Sequence, residues 1–166
     1  HLDIDGAIVA IGENRARATL YKYLTDEGIP VVSAIHPTSV VSEYASLGEG
    51  ITILENAVVK AGVRVGNNVI VNSATVFGHD CSVHDHVHAA IGSLLTAGVE
   101  IGEGCFLGAG AIVIPYKKVG NWSIVGAGAV VTADLPDHIT AVGVPARIIK
   151  RHEEDKSVGA CSTAAR

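Results

Sequence analysis

Residues 35–53 read IHPTSVVSEYASLGEGITI, and the spacing inside that string decides the fold. Ile35, Val41, Leu47 and Ile53 stand six residues apart. The step continues through Val59, Val65, Val71, Phe77, Val83, Ala89, Leu95, Ile101, Leu107, Val113, Val119 and Val125 to Val131. All seventeen sites are apolar, all but Ala89 are bulky, and no insertion interrupts them. Gly often follows, as at Gly48, Gly66, Gly78, Gly102, Gly108, Gly120 and Gly126, and four residues on stands a small or β-branched side chain such as Ala45, Ala57, Val63, Val69, Ala111 or Ala129. Neither an amphipathic helix nor a long flat strand has a period of six. The period marks a hexapeptide-repeat β-helix, in which each hexad is one short strand plus a turn and three hexads close a coil. Apolar sites eighteen apart then stack in three inward columns. These run Val59-Phe77-Leu95-Val113-Val131, Ile53-Val71-Ala89-Leu107-Val125 and Leu47-Val65-Val83-Ile101-Val119. The expected fold is an all-β solenoid, a left-handed parallel β-helix of between five and six coils.

With 166 residues the chain makes one domain, or one domain with appendages. Its scarce aromatics and abundant Gly and Val suit thin coils around a continuous core. A net charge of −5 and the lack of a basic run argue against a nucleic-acid partner. No segment reaches the roughly 18 apolar residues of a membrane span, and no signal peptide is visible. Cys81, Cys105 and Cys161 are odd in number and carry no CxxC spacing. Cys81 and Cys105 fall at the small inward position of their hexads, which reads as reduced core cysteines in a cytoplasmic protein. The sequence has no Met and starts at His1, which reads as a fragment, a processed form or an incompletely registered sequence.

Three segments are expected: a partial β-α-β unit over 1–36, the β-helix over 37–132, and a C-terminal extension and tail over 133–166. In the first, Ala7 to Ile11 reads as a strand buried on both faces. Asn14 is the candidate cap of a helix running to Glu27, with Leu20, Tyr21 and Leu24 on its apolar face and Gly28 as its stop. Val31 to Ile35 reads as a second strand. The unit looks like the back half of a nucleotide-binding-type domain without its Gly-rich phosphate loop, and it also serves as a cap over the first coil. Lys117 puts a charge where other hexads have a small residue, so a distorted turn is expected at Pro115-Tyr116-Lys117. The residues after about Lys156 read as a disordered tail.

Chemistry concentrates in one coil. His79, His84, His86 and His88 fall within ten residues, with Asp80 and Asp85 among them, while the rest of the repeat region has only His36. A solenoid must be polar somewhere, and His84 and His86 read as surface-turn residues. The interior of a β-helix is filled, so catalysis must use its outside. One convex rod offers no concave site, so a homotrimer with its sites between subunits is expected. A His in such a cleft takes up a proton near neutral pH.

The segment Asn72-Ser-Ala-Thr-Val-Phe-Gly-His79-Asp80-Cys, followed by His88 and Gly92, resembles the left-handed β-helix acetyltransferases of the sialic acid O-acetyltransferase and UDP-4-amino-sugar N-acetyltransferase group. The stretches Ala10-Ile-Gly-Glu-Asn-Arg-Ala-Arg17 and Ile35-His-Pro-Thr-Ser-Val-Val-Ser42 are similar to the same group. So are Val125-Gly-Ala-Gly-Ala-Val-Val-Thr132 and Ala141-Val-Gly-Val-Pro-Ala-Arg147. The resemblance implies direct transfer from acetyl-CoA to an amino or hydroxyl group of a sugar or nucleotide sugar. It implies that His79 is the general base and that Asp80 is the acidic neighbour that raises its basicity. Asn72 would line the acceptor pocket. His88 would donate to the thioester carbonyl or to the acceptor, a donation that would stabilise an oxyanion. Ala97, Gly108, Ala109, Gly126 and Ala127 would form the coenzyme wall, with Arg147 or Lys150 at its phosphates. The chain departs from the group at His84, at Tyr116-Lys117 and in its short N-terminal unit.

Two other readings compete. Gly78-His79 and His84 match the two-histidine segment of γ-class carbonic anhydrases, a metal lyase whose zinc needs a third His. Glu43 and Ala61 stand where that third ligand should be, so no metal is expected. A non-catalytic hexapeptide scaffold is the other.

Overall fold

The computed structural model describes residues 5–153, so Cys161 and the expectation for the tail lie outside the described residues. Two-residue strands recur every six residues: β1 (Ala34–Ile35), β2 (Val40–Val41), β3 (Ser46–Leu47) and onward in strict step to β17 (Val130–Val131). In every one of them the second residue is the apolar hexad site. Strands eighteen residues apart pair in parallel, Val65 with Val83 and Ile53 with Val71, for example. Three flat faces result. The first face carries β1, Thr52–Ile53, Ile70–Val71, His88–Ala89, Phe106–Leu107 and Ile124–Val125; the second runs from β2 to β17; the third runs from β3 to Lys118–Val119. All three predicted columns are present, and from Ile53 onward their side chains are buried.

The turn explains the period. At fourteen successive corners, from Gly50 to Gly128, the residue three after the apolar site has a left-handed backbone. Seven of these residues are not Gly, and Asn56, Asn68, Ala74, Asp80, His86, Tyr116 and Trp122 hold φ between 52° and 61°. The next residue points inward, which is why it is small. At several corners it carries a donor that bonds a carbonyl of the coil above. Cys81 Sγ reaches Thr96 O at 2.8 Å, Cys105 Sγ reaches Gly120 O at 2.8 Å, and Thr75 Oγ1 reaches Ala90 O at 3.0 Å. Both cysteines are free and buried.

The corner at Tyr116 is regular, contrary to the expected distortion. Tyr116 N donates to Ala97 O at 2.9 Å, and Glu100 N donates to Lys117 O at 3.0 Å. The Tyr116 ring lies over Gly98, where a Cβ would stand 2.6 Å from it. The missing side chain below makes room for the large one above. Past Val131 the first face continues through β18 (Ile139–Val142), which pairs with Ile124–Val125, and β19 (Arg147–Arg151) folds back antiparallel on β18.

The N-terminal segment differs from its sequence reading in four ways. Ala7 makes a single parallel bridge to Val31, and Ile8 is 42% exposed, so no strand buried on both sides forms. The far end of Val31 to Ile35 is β1, a strand of the solenoid itself. Helix α1 (Asn14–Asp26) is capped by Glu13, whose carboxylate accepts from Arg15 N and Ala16 N, while Asn14 is its first buried residue. Gly28, at φ +70°, stops it as expected. Its buried face is Asn14, Arg17 and Ala18, with Leu20 exposed. The helix docks through polar side chains that reach backbone carbonyls of the solenoid, and from the expected apolar face Tyr21 also meets it, its ring 5.6 Å from that of His86.

Candidate active site

In this coil the second-face strand Val76–Phe77 ends at Phe77, and the corner Gly78-His79-Asp80-Cys81 leads to the third face. Consecutive strand residues face opposite sides, but at this turn His79 and Asp80 come together. Nδ1 of His79 lies 2.8 Å from Oδ2 of Asp80. A carboxylate only accepts, so Nδ1 carries the hydrogen and Nε2 is the basic atom. The pair is 58% and 72% exposed, on a convex corner. The turn is held by Asp80 N to Ala61 O at 3.1 Å and by Gly98 N to His79 O at 3.0 Å. Gly62 has no side chain where the Asp80 carboxylate lies.

Asn72 opens the corner between the first and second faces. Its Oδ1 accepts from Ser73 N at 2.8 Å, and its own N–H donates to Ala89 O. Gly108, Ala109, Gly126 and Ala127 lie at this same corner on later coils. Gly108 is small because a Cβ there would stand 2.5 Å from Ala127 N, so inter-coil packing alone demands it. Ala97 sits one coil beyond His79 on the other corner. Arg147 lies on exposed β19, with Nη1 on Ala146 O.

His88 starts its strand on the first face, beneath the N-terminal segment. Its Nδ1 is 3.0 Å from Gly12 O, and its ring meets Phe106 edge-on at 5.2 Å. Burial, opposed by the Gly12 bond and reinforced by the nearby Arg17 charge, holds its pKa below the usual histidine value. His86 is not a plain surface-turn residue. Its ring packs edge-on to Tyr21 at 5.6 Å, Asn68 Nδ2 donates to its Nδ1 at 2.9 Å, and burial also lowers its pKa. Asp85 is structural, accepting from Asn67 N at 2.7 Å. His84 is exposed, 4.0 Å from Glu100 Oε1.

One chain therefore places the sequence-picked residues at three stations. Asn72 and the small-residue wall share one corner, His79, Asp80 and Ala97 share the next, and His88 faces the helix. The two corners lie a hexad apart, at most about 20 Å of extended chain. Among the described residues no group of three His, Cys, Asp or Glu is placed to hold a metal ion.

Several grooves lie near this coil, one of about 370 Å³ beside Ser46, Arg64, Ser82 and His84 among them. Another of about 300 Å³ runs between the start of α1 and the first face, lined by Gly12, Asn14, Arg15, Phe106 and Trp122 among others. The Arg15 guanidinium stacks on Trp122 at 4.7 Å. A larger one, about 630 Å³, lies beside His84, Glu100 and Lys118, away from His79. Sequence reasoning gave no role to Arg17, Gly12, Phe106 or Trp122. The signal for Arg17 was its spacing from Asn14, Ala18 and Tyr21, the i, i+3, i+4, i+7 pattern of one helix face.

No family model matches the chain. GDP-perosamine N-acetyltransferase from Escherichia coli is 30% identical over 152 residues, 86% of this chain and 67% of that protein. The chain spans only about half of two other relatives, 47% of a galactoside O-acetyltransferase and 48% of a serine acetyltransferase, both from Escherichia coli. Among solved structures, a histidine-to-asparagine variant of perosamine N-acetyltransferase from Caulobacter crescentus, in complex with CoA and GDP-perosamine, superposes with a TM-score of 0.87. It is 42% identical, and the match covers 88% of this chain and 70% of that one. The acetyltransferase domain of PglB from Neisseria gonorrhoeae, in complex with acetyl coenzyme A, gives a TM-score of 0.85 at 36% identity, covering 87% and 70%. The fold is thus the left-handed β-helix of these enzymes. On this sequence identity, coverage and fold, the chain belongs to the hexapeptide-repeat acetyltransferases, in the group that includes GDP-perosamine N-acetyltransferase.

Proposed function

We propose that the chain carries the catalytic β-helix of an enzyme that transfers an acetyl group from acetyl-CoA to an amino or hydroxyl group of a nucleotide sugar. The observation that carries this reading is the His79–Asp80 pair, a 2.8 Å contact at an exposed corner of a chain in this family. With Nδ1–H donated to the carboxylate, Nε2 takes the proton of the acceptor amine or hydroxyl as that group attacks the thioester carbonyl. The new C–N or C–O bond forms, the tetrahedral intermediate collapses with cleavage of the C–S bond, and the proton passes from His79 to the departing thiolate. No protein nucleophile is required, and Cys81, the only one adjacent, is buried.

Three stations on one convex rod do not make a pocket. A homotrimer that sets the corner of one copy, with His79, Asp80 and Ala97, against the Asn72 corner of another would close a cleft. Gly108, Ala109, Gly126 and Ala127 would then line the path of pantetheine, with Arg147 near the phosphates. The partial N-terminal unit would hold part of the nucleotide above His88. Reduced, buried cysteines and the use of acetyl-CoA support a cytoplasmic setting.

The test is thiol release from acetyl-CoA with a panel of 4-amino nucleotide sugars. His79→Ala should lower kcat by about 10²–10⁴-fold, the usual worth of a general base, with coenzyme affinity nearly unchanged. His84→Ala should be milder. If His84→Ala abolishes turnover and His79→Ala does not, the base is misassigned. An active monomer in light scattering would remove the inter-subunit cleft.

A further inference from the structure

Arg17 is 1% exposed, and its hydrogen-bond partners are all neutral oxygens. Nη1 donates to Ile11 O at 3.1 Å, Gly12 O at 3.3 Å and Asn14 Oδ1 at 2.9 Å. Nε donates to Asn68 O at 3.2 Å, and Nη2 to His86 O at 2.6 Å. A buried cation without a carboxylate in contact is costly, and burial brings its pKa down to about 10. Such a cost calls for a return beyond anchoring a helix.

Gly12 O supplies it, because that one oxygen also faces Nδ1 of His88 at 3.0 Å. We propose that Arg17 is a positioning residue for the acetyl-transfer site: it holds the Gly12 carbonyl against His88 and so fixes His88 as the Nδ1–H tautomer. A carbonyl has lone pairs and no hydrogen, so the nitrogen facing it must donate. The Arg17 charge and the burial of the ring both oppose a second proton on His88. Nε2 is then a bare acceptor. It is buried and has no hydrogen-bond partner among the described residues. Two neighbours of the ring, Gly12 and Phe106, also line the groove at the start of α1. A thioester carbonyl has no hydrogen to offer such an atom, whereas the amine or hydroxyl of the acceptor has one. Of the two roles the family resemblance implies for His88, this tautomer suits contact with the acceptor, which Nε2 would orient once the substrate reaches it, and not donation to the thioester carbonyl. Because Arg17 also binds the carbonyls of Asn68 and His86 on two successive coils, the ring is set by the docking of α1.

The inference rests on the reading that His88 meets the substrate, but its first test needs no substrate. Ring-¹⁵N NMR of the intact protein near neutral pH, with His88 assigned through His88→Gln, should show Nδ1–H for His88. A dominant Nε2–H form would overturn the proposal whether or not the protein transfers acetyl groups, and it decides the matter even if Arg17 variants fail to fold. Arg17→Lys keeps the charge but cannot bridge the same carbonyls at once. It should show mixed His88 tautomers and a kcat lower by roughly 10-fold, by analogy with the loss of a second-nitrogen partner at metal-bound histidines. Its KM for acetyl-CoA should stay near that of the parent, and its melting temperature should fall because buried carbonyls lose their donors; a purely structural role would lower the melting temperature and leave the tautomer alone. A folded Arg17→Lys with unchanged tautomer and unchanged kcat would also overturn it.

Discussion

Gly104→Ala tests the packing of the corner on which α1 rests. Gly104 has φ +64°, and a Cβ built there would overlap the six-membered ring of Trp122 one coil above. Two costs add. Placing an L-residue in the left-handed region costs about 1–2 kcal/mol. Overpacking a side chain that cannot retreat costs about 1–3 kcal/mol more. Trp122 is constrained by the Arg15 guanidinium stacked on it at 4.7 Å and by its own left-handed backbone, φ 52°. The expected loss is therefore about 2–5 kcal/mol. Gly110→Ala is the matched control, since its φ is +67° and nothing stands within 4 Å of the added Cβ. Only the backbone term of about 1–2 kcal/mol applies there. Guanidinium unfolding followed by circular dichroism measures both, and the double variant Gly104→Ala, Trp122→Ala should recover the difference. Trp122 is the sole tryptophan, so its fluorescence reports this corner directly in the single variants. Equal midpoints for Gly104→Ala and Gly110→Ala would refute the steric part of the argument.

Three further outcomes are expected. His86 and His88 titrate below their ordinary value of 6.5 in the folded chain, mainly through burial, so the unfolded chain binds the extra protons. Their contribution to stability is present above about pH 6.5, falls as pH drops through that value and levels off below the lowered folded values. A pH series of unfolding midpoints checks this, and His86→Gln or His88→Gln should flatten it. Burial raises the Cys81 thiol and pushes that of Cys105 up to about 12. Since the thiolate is the nucleophile, peptide mass spectrometry after a thiol reagent should find both unmodified in native protein and modified in denaturant. Acetyl transfer should survive chelation with EDTA, because Glu43 and Ala61 stand where a third histidine ligand would be needed; activity lost to chelation and restored by zinc would revive the metal-lyase reading.

The solenoid was legible because its information is redundant. Each hexad repeats one decision, an inward apolar side chain followed by a left-handed turn, and Val65, Val83 and Ile101 stack only if that decision is the same each time. Single exceptions misled for the same reason. Tyr116-Lys117 breaks the residue pattern but not the backbone pattern, since a left-handed turn tolerates Tyr116 once Gly98 clears the space beneath it. The His79–Asp80 contact was legible conditionally. Adjacent residues meet at a turn and not in a strand, and the hexad phase puts both in the turn.

The seam between α1 and the coils was not legible, and the reason is chemical. A helix that docks through apolar side chains leaves a stripe in the sequence, and the stripe sought here was Leu20, Tyr21 and Leu24. This helix docks through Asn14 and Arg17, whose partners are the backbone carbonyls of Gly104, Cys105, Asn68 and His86. Every residue has a carbonyl, so no side-chain pattern in the coils announces that these four are taken. Asn14 and Glu13 illustrate the ambiguity. Asn14 is the preferred cap by type, yet Glu13 caps, because the Asn14 oxygen accepts from Arg17 Nη1 while its amide donates to Gly104 and Cys105. The same commitment carries Gly12 over His88, so the placement of that histidine depends on bonds that the sequence cannot display.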